Sequence, residues 1–304
     1  LKASQQDQSA SINICDTYIS NFPILIVGIK EIYFKSLKES FKLRRLLPFF
    51  LLYLFSSFIS CFFFLPILSL LPNILTLKFS QENLNLILLN SSIILIIFLI
   101  AFILNCWLAG ALVYDVWRKE GLKAGFKFSK KLLTQILSLN FVLAFLNLFF
   151  ALLGSLGLIL RVFSSLIFLF SLPLLIIKRE DFLSAMKGSY ELVSKNLLNS
   201  FLFWLFLYLI YYSILFASFF LVIFSVSPLL SRIISLYQIF SSYGEFSQAG
   251  LIQIIGLLTN TPESIAISLT IFSFFFSYSY VFLTTAKTNY FLFLGKRLIS
   301  SNQS

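Results

Sequence analysis

Residues Leu132 to Ile177 read LLTQILSLNFVLAFLNLFFALLGSLGLILRVFSSLIFLFSLPLLII, a run of 46 residues whose single charge is Arg161. A helix rising about 1.5 Å per residue needs about 20 residues to cross the hydrocarbon core of a bilayer, so the run is too long for one crossing and long enough for two. Gly154, Ser155 and Gly157 lie near its middle, where small residues let a chain reverse. The stretch therefore reads as a helical hairpin, with Arg161 snorkelling towards the interface. One helix or two decides on which side of the membrane every later loop falls.

Working outward, apolar blocks of spanning length run over residues 46–71, 86–113, 132–154, 158–177, 197–226 and 265–286. Six crossings follow. The chain is 59% hydrophobic and 12% charged, with a mean hydropathy of +0.94, well above the apolar share of about half found in soluble domains. A soluble globule is excluded, and 39 phenylalanines exclude a solvated disordered chain. Long blocks rather than short alternating ones exclude a β-barrel. The expected fold is an all-α polytopic membrane bundle. Residues 30–296 form one transmembrane domain between a polar tail, 1–29, and a short tail, 297–304.

The sequence opens on Leu1 and its one methionine is Met186. The apolar stretch from Phe22 to Ile29 is too short for a span or a signal peptide, so the N-terminal segment is expected to be retained. Cys15, Cys61 and Cys106 share no metal-type spacing and imply no disulfide framework.

Basic residues test the span count independently, because short cytoplasmic loops retain Lys and Arg during insertion. Residues 1–45, 114–131 and 178–196, with the C-terminal tail (Lys287, Lys296, Arg297), hold twenty basic and nine acidic residues, which is the whole formal charge of +11. The other side holds Lys78, Arg161 and Arg232 against Glu82, Glu245 and Glu263. Both termini are expected in the cytoplasm.

Each basic segment leading into an odd-numbered span repeats one pattern: a small residue, an apolar residue, Lys, any residue, Ser, then Leu three positions later. The copies are Ser36-Leu37-Lys38-Glu39-Ser40, Gly125-Phe126-Lys127-Phe128-Ser129 and Ala185-Met186-Lys187-Gly188-Ser189, closed by Leu43, Leu132 and Leu192. On a helix the small residue and the Ser share a stripe, and the Lys points away from it. The expected architecture is three pseudo-repeats, each an amphipathic interfacial helix followed by a transmembrane hairpin. Each interfacial helix is expected to lie flat, with its small stripe against the bundle and its ammonium group towards anionic headgroups. Lys38, Lys127, Lys187, Ser40, Ser129 and Ser189 are the candidate lipid or interface contacts.

The stretch Pro173-Leu174-Leu175-Ile176-Ile177, followed by Ala185, Ser189, Leu192 and Asn196, resembles the six-span membrane domain fused to some bacterial glycerophosphodiester phosphodiesterases and its stand-alone relatives. The resemblance covers residues 30–296 and rests on a short motif. It implies a multi-pass protein of a bacterial cytoplasmic membrane. In that family the phosphodiester chemistry belongs to a separate soluble domain, so no catalytic residue carries over.

The chain contains no histidine, which excludes His-dependent base catalysis, His-ligated metals and Ser-His-Asp triads. No phosphate-binding or dinucleotide fingerprint occurs, and no cofactor is expected. Glu180 and Asp181 could hold Mg²⁺, though an acidic first turn of the next helix explains them as well. Asp115 and Glu120, beside Trp117 and Arg118, read as an interfacial cluster. No ionisable group falls within the six apolar cores, where a proton- or ion-coupled carrier usually keeps one. The polar groups there include Asn90 and Gln135, a candidate polar path of Asn105, Asn140, Asn147, Tyr208 and Tyr212, and serines of the sixth span. Helix-to-helix hydrogen bonding accounts for most of them. Residues 227–264 form a long outer loop expected to carry interfacial helices. The basic residues follow membrane topology and do not form a separate basic domain, so nucleic acid is not an expected partner.

The leading expectation is a non-enzymatic membrane protein whose partners are lipids or other membrane proteins, contacted through its basic helices. A permease for a neutral or amphipathic substrate, using the polar path, is the first rival. A Mg²⁺-dependent lipid enzyme centred on Glu180 and Asp181 is the second.

Overall fold

The computed structural model describes residues 28–70, 80–242 and 262–301, and every regular element among them is an α-helix. In chain order these are α1 (28–40), α2 (Leu43–Ser69), α3 (Gln81–Arg118), α4 (Leu122–Lys131) and α5 (Leu133–Ala151). They continue with α6 (Gly154–Ile167), α7 (Ser171–Lys178), α8 (Phe182–Lys195), α9 (Leu197–Ser242) and α10 (Pro262–Ser301). Six stretches are long and apolar enough to cross a bilayer: Leu43–Ser69, Gln81–Arg118, Leu133–Ala151, Gly154–Lys178, Leu197–Ser227 and Pro262–Gly295. Each overlaps one of the six apolar blocks, which makes the protein an all-helical, multi-pass membrane bundle.

The reversal between the third and fourth spans falls where small residues permit it. Helix α5 ends at Ala151 and α6 starts at Gly154, whose φ of +59° lies in the left-handed region that favours glycine. A Cβ on Gly157 would collide with the Phe150 carbonyl, so the two helix ends meet closely only because this position lacks a side chain.

The fourth and sixth spans form the centre of the bundle, with 44% and 39% of their most apolar windows buried against at most 11% in the other four. The outer spans turn large apolar side chains outward, among them Phe62, Leu95, Phe141, Phe216 and Phe224. Such a surface suits lipid and would aggregate in water. Near the basic end an aromatic column ties four segments together. Phe203 of α9 stacks on Tyr290 of α10 with ring centroids 4.0 Å apart, and on Tyr33 of α1 at 5.4 Å. Phe170, between α6 and α7, reaches Tyr290 at 5.8 Å, and the Tyr33 hydroxyl donates to the Phe203 carbonyl.

Several expectations need correction. The fourth span is not continuous, for the α-helix opens over residues 168–170. Pro173, which lacks an N–H and crowds the carbonyl four residues earlier, follows directly in the first turn of α7, where a missing donor costs least. The amphipathic segments α1, α4 and α8 do not lie flat. Helix α4 folds back antiparallel along the end of α3, pairing Phe128 with Tyr114 and Ser129 with Trp107. Helix α8 does the same along α6 and α7, and α1 along α10, where the Asn289 amide donates to Ser36 Oγ at 3.0 Å. One non-helical residue, Leu132 or Asn196, separates α4 from α5 and α8 from α9, so each basic segment is the bent beginning of the span it precedes.

Residues 227–242, expected as part of a loop with separate interfacial helices, continue α9 without a break. The rest of that loop, 243–261, lies outside the described residues, as do residues 1–27 with Cys15. Lys287, assigned above to the C-terminal tail, sits inside the sixth span, and α10 continues to Ser301. The expectation that the spans hold no ionisable group fails at this lysine and at Arg161, which lies seven residues into the fourth span.

Candidate lipid-facing site

The three repeated segments share one pattern of exposure. In 36–40, 125–129 and 185–189 the first and last residues are buried, the second and fourth half-buried, and the central lysine exposed. Ser40, Ser129 and Ser189 therefore face inward, while Lys38, Lys127 and Lys187 face outward. The small first residue permits close helix approach. A Cβ on Gly125 would strike the Ala111 carbonyl of α3, and Ala185 is completely buried.

Between the second and third segments the correspondence extends further, at a constant offset of 60 residues. Arg118-Lys119-Glu120 matches Lys178-Arg179-Glu180 in charge order. Lys119 and Arg179, at φ of 61° and 59°, are the two non-glycine residues with left-handed backbone among those described. The serines follow the same offset: Ser129 Oγ lies 3.5 Å from the Trp107 carbonyl, and Ser189 Oγ donates to the Ile167 carbonyl at 2.7 Å. Ser189 also accepts from the Phe170 N–H at 3.1 Å and so fills the break in the fourth span. The charge triplet could have been read in the sequence and was not part of the repeat recognised there.

Beside the second lysine lies an apolar groove of about 490 Å³ between α2, α3 and α4, walled by Phe55, Ile59, Ile100, Leu104, Trp107 and Phe126. The Trp107 indole N–H donates to the Phe126 carbonyl at 3.1 Å, which holds the rim residue next to Lys127 against the groove. Phe126 thus lines the groove while its chain neighbour Lys127 is exposed.

Asp115, read from the sequence as part of an interfacial cluster, is buried among the helix ends. Its side chain is 0% exposed and receives the Arg45 Nε at 2.6 Å, with Arg45 itself 2% exposed. The Gly121 N–H donates to the other carboxylate oxygen at 2.8 Å, Arg44 approaches at 3.6 Å, and Arg45 also meets Glu39 at 3.1 Å. This network joins α1, α2, α3 and the α3–α4 turn. Arg118 lies over the Trp117 ring at 4.1 Å, and Glu120 accepts from the Tyr114 hydroxyl at 2.9 Å.

Glu180 and Asp181 each serve a local role. Asp181 caps α8 by accepting from the Ser184 N–H at 3.2 Å, and hydrogen bonds from Ser184 hold its carboxyl below the usual range. Glu180 pairs with Lys178 at 3.6 Å. No group of three or more metal-ligating side chains occurs among the described residues.

The candidate polar path is distributed over separate places. Asn105 accepts from the Tyr53 hydroxyl at 2.7 Å, between α2 and α3. Asn140, like Asn90, bonds the carbonyl four residues back in its own helix and does not reach across to a neighbour. Asn147 does the same, and with Tyr208 and Tyr212 it lines a different groove between α5, α6 and α9. Helix-to-helix bonding is made instead by Asn105, by Gln135, which accepts from the Phe182 N–H, and by Ser268 with Ser225. The expectation that such bonds explain most of the intramembrane polar groups therefore holds for only part of them. No protein-family profile matches the chain, and no curated protein or solved structure does either.

Proposed function

We propose that this is a non-enzymatic membrane protein that engages anionic lipid headgroups through three basic helices at one end of the bundle, with both termini on that cytoplasmic side. The observation that carries the reading is the shared exposure pattern of 36–40, 125–129 and 185–189, buried small residue and serine flanking an outward lysine. A polar role confined to the bundle would not need three lysines all outward. The 60-residue offset in sequence, backbone and serine contacts supports an internal repeat, so three headgroup contacts would stand around one face. The apolar groove under Phe126 provides a slot for an acyl chain below Lys127.

The segment resembling the phosphodiesterase-associated membrane domain has its motif residues in packed positions: Leu174, Leu175, Ile176, Ala185 and Ser189 are buried, and Asn196 bonds the Leu192 carbonyl. On that reading the chain belongs in a bacterial inner membrane, as a scaffold that organises lipid or a neighbouring protein and leaves covalent chemistry to others.

The test is lipid-dependent stability. In nanodiscs the wild type is expected to melt at a higher temperature with anionic than with zwitterionic lipid. Changing Lys38, Lys127 and Lys187 to Glu together should erase that difference, since each basic group near an anionic surface contributes about 1 kcal/mol. An undiminished difference in the triple variant rejects the proposal.

A further inference from the structure

The groove between α5, α6 and α9 has a volume of about 600 Å³ and is lined by Asn147, Arg161, Ser165, Trp204, Tyr208 and Tyr212. Helix α6 runs from the α5–α6 turn towards the basic end, and α9 runs the opposite way. The Trp204 indole N–H donates to Ser165 Oγ at 2.8 Å, which sets these two residues level. One helical turn nearer the α5–α6 turn stand Arg161 and Tyr208, and Tyr212 stands one turn beyond Tyr208. The groove thus grades from an indole and a hydroxyl at its deep end to a guanidinium and two phenols at its shallow end.

Arg161 is the unusual member. It lies seven residues into the fourth span from Gly154, roughly 10 Å along the helix from the turn. Its Nε donates to the Asn147 carbonyl at 3.1 Å, and the side chain lines the groove. Among the described residues its two terminal nitrogens meet no carboxylate, whereas Arg45 is paired twice. An arginine held at membrane depth calls for a counter-charge, and here the protein supplies none.

We propose that this groove binds one anionic phospholipid from the leaflet opposite the basic helices, with its phosphodiester on Arg161. The planar fork of the guanidinium matches two phosphate oxygens, and the exposed Tyr212 supplies a phenol one turn nearer the α5–α6 turn. The acyl chain runs past the Ser165–Trp204 rung towards the membrane centre. Tyr208 forms the back wall, and its ring also faces Lys287 Nζ of α10 at 5.7 Å, so the groove abuts the second intramembrane cation. A headgroup with its own ammonium is disfavoured by both cations. Anionic lipid is therefore selected over zwitterionic lipid here, independently of the lysines at the other end.

Trp204 reports on the site directly. With Trp107 and Trp117 changed to Phe it becomes the one fluorophore of its kind, since the chain has three tryptophans. The protein is reconstituted in vesicles containing brominated phosphatidylglycerol, brominated phosphatidylcholine or a brominated fatty acid, and quenching of Trp204 is titrated. The expected result is a preference of about fivefold to tenfold for phosphatidylglycerol over phosphatidylcholine, the worth of one charge-assisted pair. Arg161→Gln should remove the preference. So should Tyr212→Glu, which brings a carboxylate to Arg161 without deleting it and serves if Arg161→Gln does not fold. Charge reversal of Lys38, Lys127 and Lys187 should leave the preference unchanged, which separates this site from the cytoplasmic one. Equal quenching by the two phospholipids, persistence of the preference in Tyr212→Glu, or stronger quenching by the fatty acid overturns the proposal.

Discussion

At the scale of single residues, the Arg45–Asp115 pair is the most consequential contact outside the apolar core. Both side chains are essentially removed from solvent, and Asp115 is satisfied by Arg45 on one oxygen and the Gly121 N–H on the other. Removing one member leaves a buried charge, which typically costs about 3–5 kcal/mol, whereas replacing both with apolar residues of similar volume is often neutral. Asp115→Ala is accordingly expected to lower the thermal midpoint sharply, and Arg45→Met combined with Asp115→Leu to recover much of the loss. Melting of the four species in one detergent closes the cycle, and additive losses would show that the pair is not coupled. The sequence placed Asp115 near an interface but gave no sign of this partner, since 70 residues separate the two and neither lies in an apolar block. Asp181 was nearly legible by contrast: the sequence put it with Glu180 in the first turn of the next helix, whereas it caps that helix, three residues from the N–H it accepts, and Glu180 precedes the cap.

Elements show where repetition ends and specialisation begins. Ser129 and Ser189 occupy corresponding positions 60 residues apart, yet the helices they face differ. Helix α3 is unbroken beside Ser129, whose contacts to the Trp107 and Phe126 carbonyls are 3.5 and 3.4 Å. Ser189 instead satisfies the Phe170 N–H and the Ile167 carbonyl at the opening before Pro173. Orphaning a buried donor costs about 1–3 kcal/mol, while losing a long contact to a carbonyl already used within its helix costs little. Ser189→Ala should therefore destabilise by roughly that amount in a thermal melt, and Ser129→Ala by clearly less. Equal losses would mean that the break is held by packing alone. Span number and the reversal at Gly154 were legible because hydropathy and small residues report them locally. The break at 168–170 carried a signal in Pro173, but Phe168, Leu169 and Phe170 look like any other helical stretch. The fold-back of α1, α4 and α8 was not legible, because periodicity fixes which face of a helix is buried and leaves its tilt to the partner it packs on.

The whole molecule is polarised along its long axis, and contacts among α1, α3, α4, α8 and α10 gather the basic segments at one end without any reference to a membrane. Asn289 reaches Ser36, Arg45 reaches Asp115, and Arg179 lies over Phe128 at 5.2 Å. Charge bias was counted along the sequence and helix packing arises from side-chain fit, so their agreement is not circular. Assigning that end to the cytoplasm follows from the insertion rule alone, since cations resist translocation. Cysteine accessibility supplies the missing direction. In a background lacking Cys15, Cys61 and Cys106, Lys127→Cys and Lys187→Cys, both at exposed positions, should resist a membrane-impermeant maleimide in intact cells and react after permeabilisation. Ser155→Cys, one residue past the left-handed Gly154 at the α5–α6 turn, should react from outside. Labelling of 127 and 187 from outside would invert the molecule: the lysines would then meet the outer leaflet and Arg161 the inner one. The two lipid sites would keep their chemistry and exchange their membranes' faces, and the scaffold reading would have to be rebuilt around an extracellular partner.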